Sequence, residues 1–351
     1  MIKKLFITDC EGPLSLNDNA YEISSEFIPE GDEFFKIISK FDDYLVDIAK
    51  KPDYNAGGTL KLIVPFFKAY GITNQKIIDF SKEKINLVDG VEKTLELAEN
   101  AMSSFIVSTS YGQYIEALCN YLDFPFENTY YTHLDMYDSY ELSDNEKEKL
   151  FEFRDTIVKI ARENSPDFDK LNEIFFDEIP KMEIAKLIEN INTVGGEGKK
   201  LAIKDIVSKC DCDKNGIMYV GDSITDVEPL KYAKKNGGLA ISFNGNEYAL
   251  KEAEIAIITN NTLPTSLLLE LHSKFNKEYV FEFIRSYSKN PQNALETFKF
   301  GHDMIDEFNE TFKGKFPIIE VIREDNLDEL IKKSIIMRKE IRGNAIGSLG
   351  K

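Results

Sequence analysis

The sequence predicts an α/β protein: a doubly wound parallel sheet with helical cap insertions and a helical C-terminal extension. Two observations carry most of that expectation. Leu5 to Thr8 is a short apolar run that ends in Asp9-Cys10-Glu11. Far downstream, Ile217 to Val220 is another such run, ending in Gly221-Asp222-Ser223-Ile224-Thr225-Asp226. Strands buried on both faces read as continuous apolar runs, and the ligands of open α/β sheets bind at the carboxyl ends of such strands. The third observation is the regular alternation of apolar strands and helices from Gly195 onward, which argues for parallel strands joined by helical crossovers.

Each element follows from local pattern. Residues 2–8 read as the first strand. Residues 13–87 read as mostly helical, with apolar stripes over Glu26–Ala49 and Leu60–Tyr70, a Gly57-Gly58 loop between them, and a short helix over Gln75–Ser81. A helix running to Glu99 leads into a second buried strand, Phe105-Ile106-Val107, then Ser108-Thr109-Ser110 and a helix from about Gln113 to Leu122. Residues 128–190 break the rhythm with a Tyr-rich stretch and a charged helix from about Asn145 to Arg162, which reads as an insertion. The expected later elements are a helix over Lys200–Ser208, the Ile217 strand, a helix over Thr225–Lys235, and strands at Leu239–Phe243 and Ile255–Thr259. After Pro264 the chain reads as helical, with one extra strand at Phe316–Ile322.

Composition narrows the function. The formal charge of −18 over 351 residues repels nucleic acid and anionic lipid, so neither is an expected partner. No apolar run is long enough to span a bilayer, and the N-terminus lacks a signal-peptide core, so a cytoplasmic protein is expected. The four cysteines are too few for a disulfide framework, and Cys210-Asp211-Cys212 has a shorter spacer than zinc sites use, so reduced thiols are expected. If the two acid-tipped strands are neighbours, Asp9, Glu11, Asp222 and Asp226 converge, and such a cluster calls for a cation.

Taken in order, Asp9-Cys10-Glu11, Ser108, the Lys199-Lys200 pair and Gly221-Asp222-Ser223-Ile224-Thr225-Asp226 resemble the four motifs of the haloacid dehalogenase (HAD) superfamily, on its phosphoserine-phosphatase-like branch. The resemblance implies a core of residues 1–13, 88–127 and 192–263, a helical cap at 14–87, a second insertion at 128–191 and an extension at 264–351. It implies a Mg2+-dependent phosphomonoester hydrolase acting on a small phosphorylated metabolite. In that scheme Asp9 is the nucleophile and forms an aspartyl-phosphate, splitting one hard displacement into two easier ones. Glu11 stands where most members have Asp as general acid, and its backbone carbonyl would also ligate the metal. Ser108 and the Thr109 amide would bind phosphoryl oxygens. A lysine, Lys199 or Lys200, would offset the charge on Asp9; the apolar phase through Ile203 and Ile206 favours Lys199. Asp9, Asp222 and Asp226 complete the metal set, since Mg2+ takes oxygen ligands.

Two further expectations concern the substrate and the partners. Tyr54-Asn55-Ala56-Gly57-Gly58-Thr59 is the candidate substrate loop, with Asn244 at the carboxyl end of the Leu239 strand also facing the site. There is no arginine before Arg154, so a carboxylate-holding arginine is missing from the first cap. The opening Thr-Asp-Cys-Glu-Gly-Pro resembles a group of little-characterised archaeal HAD-like proteins, some described as energy-converting hydrogenase subunits. That resemblance supplies two alternatives to hydrolysis: phosphotransfer to an alcohol, or a non-catalytic partner-binding subunit. In the latter case the insertion and the tail would meet a partner protein or a second copy of the chain.

Overall fold

The computed structural model describes residues 3–349; Ile2, the first residue of the expected N-terminal strand, lies outside them. A single seven-stranded sheet organises the chain. In sequence order its strands are β1 (Leu5–Thr8), β2 (Ser103–Tyr111), β3 (Thr129–Thr132), β4 (Ile217–Gly221), β5 (Leu239–Phe243), β6 (Ile255–Ile258) and β7 (Ile318–Val321). Their spatial order is β3-β2-β1-β4-β5-β6-β7. All pairings are parallel except β6 with β7, which is antiparallel at the edge. The strand order reverses between β1 and β4, so the two acid-tipped strands are direct neighbours, with Thr8 opposite Val220.

The continuous apolar strands serve two cores at once. Side chains alternate across a strand, so Phe6, Ile106, Met218 and Val220 fall in one core while Leu5, Ile7, Val107 and Tyr219 fall in the other. Helix Leu263–Lys274 covers the first face with Leu267, Leu268 and Leu271, and helix Glu197–Cys210 covers the second with Ile203 and Ile206. Among the described residues no helix is long and apolar enough to cross a membrane.

A third core lies beyond the carboxyl ends of the strands. It joins Phe34, Phe41, Phe66 and Phe67 from the first inserted segment to Leu150, Ile157, Ile174 and Phe175 from the second. The two insertions therefore share one apolar body. Arg154 and Arg162 of helix Asp144–Ala161 and its C-cap pair with Glu30, and Arg162 also with Glu33, at the start of helix Gly31–Asp43.

Two expectations about elements change. The stripe over Glu26–Ala49 is not one helix: Pro29 disfavours helical backbone at Ile28, which is extended (φ −109°, ψ 128°), and the chain restarts at Gly31. Thr129–Thr132, assigned to the second insertion, is an edge strand paired with β2. The strand expected at Phe316–Ile322 is present as β7, and helix Leu327–Ile346 then returns across the carboxyl ends of the strands.

Candidate active site

β1 delivers Asp9, and the Asp9 amide extends the sheet by donating to the Val220 carbonyl at 2.8 Å. β4 delivers Asp222 one residue after its end. One oxygen from each of Asp9, Asp222 and Asp226 lies within 4.8 Å of the others, and all three residues are buried. Gly12 and Gly221 permit this crowding. A Cβ on Gly12 would collide with the Asp222 carboxylate, and one on Gly221 with that of Asp226. Gly12 also has φ +108°, which other residues rarely adopt.

Lys199 sits in the first turn of helix Glu197–Cys210 and is fully buried. Its ammonium lies 2.7 Å from Asp9 Oδ2 and 2.8 Å from Asp226 Oδ1. Burial works against that charge, but Asp226 and Asp9 outweigh it and hold the ammonium above its ordinary pKa. Lys200, the other candidate, points outward and pairs with Glu197 and Glu228. One residue rotates a helical side chain by about 100°, so only one of two adjacent lysines reaches the cluster.

Asp226 is saturated. Oδ1 accepts from Lys199 and from the Tyr219 hydroxyl at 2.6 Å; Oδ2 accepts from the amides of Asp222 at 2.9 Å and Ser223 at 3.0 Å. A carboxylate offers about four lone-pair directions, so this one is used up in holding Lys199 and the Asp222 turn. Burial raises its pKa, but Lys199 prevails and the net shift is downward. Asp9 behaves oppositely. Burial pushes its carboxyl up to about 8 against the pull of Lys199, with Asp226 and Asp222 adding to the rise.

Glu11 accepts the Asn19 amide at 2.7 Å, and burial, followed by the neighbouring Asp18, raises its pKa well above the ordinary range. Ser108, Thr109 and Ser110 lie on β2 where its register with β3 shifts, between Val107 and Tyr111. The Ser108 hydroxyl donates to Ser110 Oγ at 3.1 Å and accepts from the Ser110 amide at 3.2 Å.

Asp9, Glu11, Ser108, Thr109, Asp222 and Gly57 all line one cavity of about 120 Å3, closed from the far side by Phe35, Asp42, Asp43 and Thr59 of the cap. The expected substrate loop enters only in part. Gly57 is in this cavity, whereas Gly58 lines a separate one beside Tyr54 and Phe175. Asn244 is not in the cleft: its amide group clasps Thr259, donating to the carbonyl at 2.6 Å and accepting from the amide at 2.9 Å.

The largest surprise is the C-terminal helix. Arg338 and Arg342 line the same cavity, and both guanidinium groups reach Asp222 Oδ2, Arg342 at 3.4 Å. Arg338 also donates to the carbonyls of Asp222 and Asn244, each at 3.2 Å. The sequence signal was an i, i+4 series, Leu330, Ser334, Arg338, Arg342, which shares one helix face. Leu330, Ser334 and Arg338 are buried.

The donor set suits a hard divalent cation. Asp9 and Asp222 offer carboxylate oxygens only, on adjacent strand ends, and among the described residues no softer ligand lines the cavity. The Glu11 and Asp9 side chains face the same space.

The chain is similar to the gene product AF1437 from Archaeoglobus fulgidus, at 29% identity over 99% of each chain with a TM-score of 0.82. That likeness covers both inserted segments and the returning C-terminal helix. The chain is also similar to a phospho-aspartyl intermediate analogue of phosphoserine phosphatase (15% identity, 79% of this chain and 100% of that chain, TM-score 0.46). A third likeness is to HAD family hydrolase t0658 from Salmonella enterica subsp. enterica serovar Typhi (11%, 72% and 67%, 0.43). These last two superpositions are partial and carry no argument about chemistry. No protein-family profile and no curated protein sequence matches the chain.

Proposed function

We propose that the chain is a HAD-like, Mg2+-dependent phosphomonoester hydrolase that acts on a small phosphorylated metabolite through an aspartyl-phosphate on Asp9. One observation carries the reading: a fully buried lysine bridging Asp9 and Asp226, with Asp222 beside them, at the carboxyl ends of adjacent parallel strands. A structural salt bridge needs no such convergence at the switch point of a sheet, where ligands of this architecture bind.

Asp9 attacks phosphorus with its carboxylate. Lys199 holds that carboxylate in place and favours its ionised form against the burial that raises its pKa. Asp9 and Asp222, with the Glu11 carbonyl, would hold Mg2+, which would supply neutralisation of the negative charge in the site. Asp226 acts through Lys199 and the Asp222 turn and is a positioning residue. Glu11, whose pKa is raised by burial and by Asp18, donates a proton to the leaving oxygen and then accepts one from the attacking water. Ser108 and the backbone of Thr109 face the phosphoryl oxygens.

The test is turnover of p-nitrophenyl phosphate by the purified protein with Mg2+, followed by a screen of phosphorylated metabolites. Turnover that depends on the metal and is lost in Asp9→Asn supports the reading. Absence of turnover for every phosphoester with metal present refutes it.

A further inference from the structure

The cation-binding carboxylate of this site is shared with the far end of the chain. Asp222 Oδ2 is held by Arg338 and Arg342, which follow it by more than a hundred residues, and both arginine side chains are only 5% exposed. Nothing in the motif pattern asks for them. Around the acid cluster, three carboxylates (Asp9, Asp222 and Asp226) meet three cationic side chains (Lys199, Arg338 and Arg342). Lys199 serves the Asp9 and Asp226 side; the two arginines serve the Asp222 side.

The arginines are fixed in place. Arg342 donates from Nε to the Leu16 carbonyl at 3.1 Å and also to the Asn17 carbonyl, which binds it to the turn after the first acidic pair. Arg338 is braced by the carbonyls of Asp222 and Asn244, and one turn earlier Ser334 donates to the Gly245 carbonyl at 2.6 Å. Arg338 Nε is buried without a hydrogen-bond partner among the described residues. Beyond Arg342 the helix bends at Gly343 (φ 75°, ψ 162°), and Ile346 and Leu349 then line the cavity. The helix is thus anchored to the Leu16–Asn17 turn and to the Asn244–Gly245 turn, with both arginines lining the cavity.

We propose that Arg338 and Arg342 are working parts of the phosphoryl site: the pair gives the Asp222 side of the cleft the fixed positive charge that a phosphoryl dianion meets. This rests on the hydrolase reading for its substrate, but not for its test. A fixed positive charge beside a shared carboxylate acts with opposite sign on the two ligands. It repels a divalent cation and attracts a phosphate. Guanidinium is suited to this because it stays charged and matches tetrahedral oxyanions with paired donors.

The probes are Mg2+ alone and inorganic phosphate, measured by titration calorimetry on the full chain, so no turnover is needed. Arg338→Met is expected to tighten Mg2+ binding by about tenfold and weaken phosphate binding by about tenfold. Arg338→Lys is expected to return both towards wild type. Arg342→Met, at the longer 3.4 Å contact, shifts both in the same senses but less, and it carries the test if Arg338→Met does not fold. A merely structural role would misplace Asp222 and weaken both ligands together; that result overturns the proposal. So does an unchanged pair of affinities, or a protein in which neither wild type nor variant binds Mg2+. If wild type hydrolyses no phosphoester while the two affinities still move in opposite directions, the hydrolase reading falls and the arginine assignment stands.

Discussion

The two walls of the cleft carry similar acids and treat them differently. On the sheet side, both oxygens of Asp226 are fully hydrogen-bonded, and Asp9 is tied to Lys199 and to the Cys10 amide at 2.7 Å. On the cap side, Asp42 and Asp43 are equally buried, yet Asp42 Oδ1 and Asp43 Oδ2 have no hydrogen-bond partner among the described residues. Asp42 Oδ2 is partly used, holding the Gly57 amide and the Thr59 amide and hydroxyl. Burial raises both cap carboxyls. The difference separates a preorganised wall, where charge is fixed before any ligand arrives, from a wall whose surroundings raise the pKa of its acids.

The largest effect that sharpens this contrast is on activity. Asp9→Asn keeps the size and most hydrogen bonds of the residue but removes the proposed nucleophile. Turnover of p-nitrophenyl phosphate is expected to fall by about a thousandfold or more, with an unchanged far-ultraviolet circular dichroism spectrum. Retained turnover would mean that the sheet wall does not supply the attacking group.

Breaking the sheet wall itself should cost stability. Lys199→Met leaves Asp9 and Asp226 buried without their shared cation. Removing one partner of a buried ion pair costs about 3–5 kcal/mol. Urea denaturation of wild type and variant measures it; a loss below about 1 kcal/mol would show that the wall is more hydrated than its burial indicates.

Much of this arrangement was legible before the fold was seen. Acid-tipped apolar runs point to Asp9 and Asp222 because parallel strands buried on both faces read as continuous apolar runs. The choice of Lys199 over Lys200 was favoured only by the resemblance to phosphoserine-phosphatase-like chains. What the sequence hid were contacts with no local cause. Arg338 shares a helix face with Leu330 and Ser334, but only the return of that helix over the strand ends gives it a buried carboxylate. Thr129–Thr132 is short, polar and Tyr-rich; it is a strand because β2 offers it an edge. Asn244 stands at the carboxyl end of β5 as expected, but its amide matches a backbone pair at Thr259 instead of the cleft.

His272 extends the comparison away from the cleft. Its Nε2 lies 2.9 Å from the Gly216 carbonyl, while Nδ1 has no partner among the described residues. Burial lowers its pKa to about 4. The unfolded chain then binds more protons than the folded one between that value and about 6.5, so stability falls as pH drops through this window. The contribution is about 2 kcal/mol lost between pH 7 and pH 5. His272→Gln should flatten that part of the pH–stability curve relative to wild type; parallel curves would mean that the imidazole is protonated in the fold.

The smallest expected effect tests the cap wall directly. Burial, then Asp42 and Asp47, holds the Asp43 carboxyl well above the ordinary range. The folded state therefore prefers the protonated form, and the stabilisation this brings is present at low pH and is lost as pH rises. Asp43→Asn mimics the protonated group and removes the pH dependence. The variant is expected to be as stable as wild type near pH 5 and more stable by up to about 1 kcal/mol near pH 8. Thermal unfolding at the two pH values reads the difference. An equal loss at both would mean that Asp43 carries a charge-stabilising contact, and the cap wall would then be built on the same principle as the sheet wall.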